Sequence, residues 1–140
     1  MNAGAECHGG CLCGAVQVVA KTKGNDVGAC HCVMCRRWGG GPLLAVECGG
    51  DVKFIGESSI GVFDSSEWAE RGFCRVCGTH LFYRLKKEGH YAIPVGLFDS
   101  SEPWMLTGQV FIDQKPAFYS FAQSTEDLTA EEVFEQYFRK

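Results

Sequence analysis

Apolar residues in this chain come in short bursts, separated by glycines and polar turns. Gly14 to Val19 is rich in β-branched residues and reads as a strand. Lys21 to Gly28 is a polar turn with Gly24-Asn25-Asp26 at its tip. Leu43 to Glu47 forms a second short strand, and Gly49-Gly50-Asp51 turns it into the alternating strand Val52 to Ile55. Ile60 to Phe63 is a further strand. Ser65 to Gly72 is polar apart from Trp68 and leads into a pair of cysteines. Thr79 to Leu85 places Leu81, Tyr83 and Leu85 opposite His80, Phe82 and Arg84. Glu88-Gly89 breaks the chain before Tyr91 to Leu97, which Pro94 interrupts as at an edge or a bulge. Val110 to Ile112 and Phe118 to Phe121 complete the strands, and residues 1 to 9 are expected to fray.

Only the end carries a helical signature. Thr129 is placed as an N-cap with Glu132 three residues on, which is a capping box. Leu128 is positioned as a hydrophobic staple to Val133, and Val133, Phe134, Tyr137 and Phe138 share one face. The pattern predicts a helix over 129–138 and a mainly-β fold of several short antiparallel strands, as a single domain over 1–140.

Composition agrees with a folded domain: 46% of the 140 residues are hydrophobic and 21% charged, enough to bury one core. The longest apolar runs, such as Pro42 to Val46, are too short to span a bilayer. Met1 to Gly10 lacks the basic start and apolar stretch of a secretory signal, so the cytoplasm is the expected compartment. The net charge of −4 argues against a nucleic-acid partner, which calls for a basic stripe. The chain offers one compact basic pair beside its cysteines, Arg36-Arg37.

The cysteines change the picture most. There are nine, an odd number, which counts against a disulfide framework in a reducing compartment. Seven are tightly spaced: Cys11 and Cys13, then Cys30, Cys32 and Cys35, then Cys74 and Cys77. Thiolates are soft donors that suit zinc, which takes four tetrahedral ligands in structural sites and fewer protein ligands in catalytic ones. Spacing permits two partitions. Cys11, Cys13, Cys74 and Cys77 can close one site and leave Cys30, Cys32 and Cys35 as an open one. Alternatively Cys32 and Cys35 join Cys74 and Cys77, which leaves Cys11, Cys13 and Cys30 without a role. The first strands no thiol and is the more economical. It requires both C-x-C pairs to lie on turns, because residues two apart on a flat strand are too spread for one ion. Cys7 and Cys48 are expected to be a terminal thiol and a buried small hydrophobe. His31 is expected to point away from a metal held by its neighbours, and His80 to be a strand residue.

Three segments together resemble the glutathione-dependent formaldehyde-activating (GFA) family, which includes centromere protein V. They are Gly9-Gly10-Cys11-Leu12-Cys13-Gly14-Ala15-Val16, Cys30-His31-Cys32-Val33-Met34-Cys35-Arg36 and Arg71-Gly72-Phe73-Cys74-Arg75-Val76-Cys77-Gly78, spanning positions 9–78. The resemblance implies a zinc-binding β-tent fold and two zinc ions. One is held structurally by Cys11, Cys13, Cys74 and Cys77. The other sits in an open, catalytic site of Cys30, Cys32 and Cys35. It further implies carbon–sulfur lyase or synthase chemistry that joins glutathione, the small-molecule thiol partner, to formaldehyde. Family members often carry lysine, proline and tryptophan near the last strand, whereas here Lys115-Pro116 is followed by Ala117 and Phe118. Arg36 and Arg37 are candidates to offset thiolate charge or hold a ligand carboxylate, Trp38 to form an apolar wall, and Arg71 to orient a turn. Two other functions fit the same cysteines: a zinc-binding interaction module without turnover, and a thiol-based metal or redox sensor.

Overall fold

The computed structural model describes residues 6–99 and 102–137. In chain order its elements are β1 (Glu6–Gly10), β2 (Gln17–Lys21), β3 (Asp26–Cys30), α1 (Val33–Gly39), β4 (Leu43–Gly49), β5 (Val52–Ile55), β6 (Ile60–Asp64), β7 (Ala69–Cys74), β8 (His80–Leu85), β9 (His90–Pro94), β10 (Met105–Val110), β11 (Glu126–Leu128) and α2 (Ala130–Tyr137). Short 3-10 turns cover Glu57–Ser59, Val95–Leu97 and Ile112–Gln114. The mainly-β expectation with a C-terminal helix holds.

The chain divides into two compact units. The first contains the residues up to Asn25 and Ala45–Pro103. In it β1, β2 and β5 form an antiparallel sheet in that order, with Cys7 opposite Ala20 and Val18 opposite Phe54. Strands β4, β9, β8, β7 and β6 follow one another as antiparallel neighbours. Period-2 alternation sends Val16, Val18, Ala20, Val46, Leu81 and Ile93 inward, each all but fully buried. Phe54, Phe82 and Tyr91 add a cluster of mutually tilted rings 5.2 to 5.8 Å apart. Cys7 is buried in β1, so it is a core residue and not a terminal thiol, and residues 6 to 9 are strand where fraying was expected. Cys48 is the buried small hydrophobe anticipated from sequence.

The second unit contains Asp26–Leu44 and the residues from Trp104. Here β3, β10 and β11 pair in parallel, with β10 in the middle. Parallel pairing of strands so far apart in sequence has no local signature, and only antiparallel pairs were expected. The strand expected at Val110 to Ile112 instead spans Met105–Val110; Phe111 ends it with a φ of 56° and opens a 3-10 turn. No strand forms over 118–121. The capping box is realised: the Glu132 amide donates to Thr129 Oγ1 at 3.2 Å, and the Thr129 amide donates to Glu132 Oε1 at 2.8 Å. Val133 is the buried residue of α2 and Phe134 meets Phe111 edge to face, but Tyr137 is exposed. Phe138, placed on the same face, lies outside the described residues.

Candidate metal centre

Cys11 follows β1 directly and enters a tight turn, closed by the Gly14 amide donating to the Cys11 carbonyl at 3.1 Å. Cys74 ends β7 and enters a similar turn, closed by the Gly78 amide on the Cys74 carbonyl at 2.8 Å. Gly14 and Gly78 each hold a φ of 80°, where a side chain is disfavoured, so glycine is what lets each turn double back on its cysteines. Backbone amides in the first turn also point at sulfur: Val16 N–H donates to Cys11 Sγ at 3.3 Å and Ala15 N–H to Cys13 Sγ at 3.4 Å. Thr79 joins the two turns. Its hydroxyl oxygen accepts the Leu12 amide at 3.2 Å, which leaves its proton for Cys77 Sγ, also at 3.2 Å. That hydroxyl, and next the Thr79 amide, hold the Cys77 thiol down to about 5.

The result is a cluster of Cys11, Cys13, Cys74 and Cys77 whose sulfurs all lie within 4.8 Å of one another. Cys11 and Cys13 are 3.6 Å apart at sulfur, and Cys13 and Cys74 3.8 Å. A tetrahedral ion with bonds of about 2.3 Å to sulfur has S···S edges of about 3.8 Å. The donor set therefore fits a tetrahedral thiolate-bound ion, and the first of the two sequence partitions is the one the fold assembles.

Cys30, Cys32 and Cys35 form the second cluster, also within 4.8 Å at sulfur. Cys30 is the last residue of β3, and Cys32 is the N-cap of α1. The Cys32 sulfur accepts the Cys35 amide at 3.3 Å, as a serine or aspartate oxygen does at other helix starts. Each C-x-C pair thus sits where regular structure begins or ends. The Cys32 and Cys35 sulfurs, together with burial, push the Cys30 thiol far up, because neighbouring thiolates repel when no cation lies between them.

His31, between two of these cysteines, is fully buried and turns into the second unit. Its Nδ1 lies 2.7 Å from the Tyr119 hydroxyl and its Nε2 2.8 Å from Gln109 Oε1. Its carbonyl accepts Arg36 Nε at 3.1 Å. Arg36 and Arg37 face an open cleft of about 450 Å³ together with Val33, Gly40, Gly41, Pro116, Phe118 and Tyr119. The turn behind this wall is drawn in by Lys115, whose Nζ donates to the carbonyls of Pro116 and Tyr119. Burial raises the Tyr119 phenol, partly opposed by Arg36 nearby, so its hydroxyl keeps its proton at neutral pH.

Several side chains fall elsewhere than sequence placed them. Trp38 does not line the cleft; Phe118, 83% exposed, and Tyr119 supply its aromatic side. Of the two residues that follow Lys115-Pro116, Phe118 is the one on the cleft wall. Arg71 is buried in mid-strand with its guanidinium over the Tyr83 ring. His80 is a strand residue, as expected. Sequence reading missed Thr79, Gln109 and Tyr119. The one cue was a tyrosine set between Phe118 and Phe121, four residues after Lys115.

Short strands that carry one four-thiol and one three-thiol cluster define a mainly-β protein with two candidate cysteine metal sites. A family model described as glutathione-dependent formaldehyde-activating enzyme matches residues 6–114, and the chain belongs to that family. It is 36% identical over 129 residues to an uncharacterized lyase of Schizosaccharomyces pombe, covering 91% of this chain and 94% of that one. It also shares its fold, with a TM-score of 0.60 at 24% identity, with a protein of Rhodobacter sphaeroides solved by crystallography; the match covers 69% of this chain and 91% of the other. Among the described residues no helix is long and apolar enough to cross a membrane.

Proposed function

We propose that this chain is a zinc-dependent carbon–sulfur lyase or synthase of the GFA type, acting on glutathione or a related thiol and formaldehyde or a similar small electrophile. The observation that carries the reading is the inequality of the two clusters. Four thiols complete a tetrahedron; three leave one position for a ligand from outside. Cys11, Cys13, Cys74 and Cys77 would hold a structural zinc, and Cys30, Cys32 and Cys35 a second one. A zinc ion in the three-thiol site would supply a lowered pKa to an incoming thiol, which near 8.5 is mostly protonated at neutral pH. The net chemistry is addition of a thiol S–H across a C=O bond, with no change in oxidation state.

The remaining work falls to the chain's own residues. Arg36 and Arg37 offer guanidinium groups to a carboxylate, a match that lysine makes less well. Val33, Pro116 and Phe118 give the cleft an apolar wall. Holding the thiol and the electrophile in one orientation lowers the barrier independently of activation. The family name and the lyase name of the fission-yeast relative support this assignment. All nine cysteines are free, which suits a reducing compartment such as the cytoplasm.

The deciding experiment combines metal analysis with a carbon-13 NMR assay of labelled formaldehyde and glutathione. Two zinc ions per chain and accelerated appearance of the S-hydroxymethyl signal, lost in Cys30→Ser, are expected. Zinc without acceleration for any thiol would leave an interaction module. Loss of the second zinc on mild peroxide, with no turnover, would leave a sensor.

A further inference from the structure

The buried ring of His31 is one link in a chain of hydrogen bonds whose direction is set at its far end. The Asp127 carboxylate can only accept, so the Thr125 hydroxyl, 2.5 Å away, donates to it. The Thr125 oxygen then accepts from Gln109 Nε2 at 2.9 Å. This orients the amide with Oε1 toward His31 Nε2, 2.8 Å away. A carbonyl oxygen accepts, so Nε2 carries the hydrogen. The neutral ring has one N–H, so Nδ1 is left to accept, and the Tyr119 hydroxyl at 2.7 Å donates to it.

We propose that this relay makes Tyr119 a specificity-determining residue of the cleft. Its one proton is committed to His31, so toward the cleft its oxygen can only accept. Arg36 is fixed to the same residue through the His31 carbonyl, so the cation and the acceptor share one anchor. A cleft with two guanidinium groups and an accepting phenol oxygen beside them selects an anion that carries an N–H or O–H beside its negative group. It discriminates against an isostere that lacks the donor, because the tyrosine oxygen would then lose its water and gain nothing. The ligand side of this inference rests on the cleft being the substrate site proposed above. The proton direction does not.

Two measurements on the full zinc-loaded chain test it. In the first, long-range proton–nitrogen correlation spectra of histidine-labelled protein read the His31 tautomer. The Nε2–H form is expected, with part of the signal moving to Nδ1–H in Thr125→Val and in Asp127→Ala. An Nδ1–H ring or an imidazolium at neutral pH in the parent chain overturns the relay. So does an unchanged spectrum in both variants.

The second measurement compares binding of N-acetylglycine with that of its ester isostere O-acetylglycolate. The amide is expected to bind about three- to tenfold tighter, the worth of one net hydrogen bond, and Tyr119→Phe to abolish the difference. Equal binding in the parent chain, or an undiminished preference in Tyr119→Phe, overturns the acceptor role. Binding of neither probe overturns the cleft as a carboxylate site and the selectivity built on it, while the tautomer is still read independently.

Discussion

The sulfur atoms of Cys13 and Cys74 lie 3.8 Å apart, although 61 positions separate them in the chain. An ion held between them clamps the turn after β1 to the end of β7. Such an ion binds the folded chain and has no preformed site in the unfolded one, so its affinity adds to stability. Cys74→Ser should therefore destabilise by about 4 kcal/mol if free zinc stands near a thousandfold over its dissociation constant. Differential scanning calorimetry should show a fall in Tm of roughly 10–20 °C, matched by chelation of the parent protein. A melt that neither the substitution nor the chelator moves would rule out a structural role.

Cys32 combines two tasks that substitution can separate. Its sulfur caps α1 and belongs to the three-thiol cluster. Serine is itself a good N-cap, so Cys32→Ser should lose the second metal, and the stability that metal adds, while the helix cap is kept. Cys32→Ala should lose the cap as well, at a further cost of about 1 kcal/mol. Metal content and thermal melts of the two variants, taken together, distinguish ligand from cap. Full metal content in both would exclude Cys32 as a ligand.

The Thr79 hydroxyl gives the four-cysteine cluster a pH signature. Its hydrogen bond and then its amide hold the Cys77 thiol from the ordinary 9.0 down to about 5. Stability from a depressed acid is fully present above its ordinary pKa and is lost as pH falls through the lowered one. Here that window runs from about pH 9 down to about pH 5. Thr79→Val should raise the thiol, let protons compete earlier and move metal release to a higher pH. A chromophoric chelator followed across a pH series reads the shift, and coincident release curves would remove Thr79 from the account.

The capping box at α2 is a local feature with a local test. Thr129→Ala removes the acceptor of the Glu132 amide at the helix start. A loss of about 1 kcal/mol is expected. Glu132→Ala should do less, and the double variant little more than Thr129→Ala, because the two bonds are reciprocal. Additive losses in denaturant melts would show that the two bonds act independently.

Much of this architecture was legible because it is written locally. Val52–Ile55 alternates and Thr129 with Glu132 announces a helix, and both show in the structure where the pattern placed them; Pro94 instead ends β9, an inner strand between β4 and β8, and a 3-10 turn follows it. The cysteine spacing, with glycines after the first and third groups, also marked which thiols belong together once economy was applied. What the sequence alone could not convey was long-range pairing. Parallel contact of β3 with β10 and β11 is specified by side chains far apart in sequence, and no turn residue signals it. That pairing carries Gln109 to within 2.8 Å of His31, and the turn drawn in by Lys115 brings Tyr119 to the other side of the ring. Sequence thus determined the thiols and their grouping within each segment, because ligand number and spacing are local chemistry, while the joining of the first segment to the third is a long-range contact. The tertiary structure decided what surrounds them, because a buried imidazole takes its partners from whichever strands pack beside it.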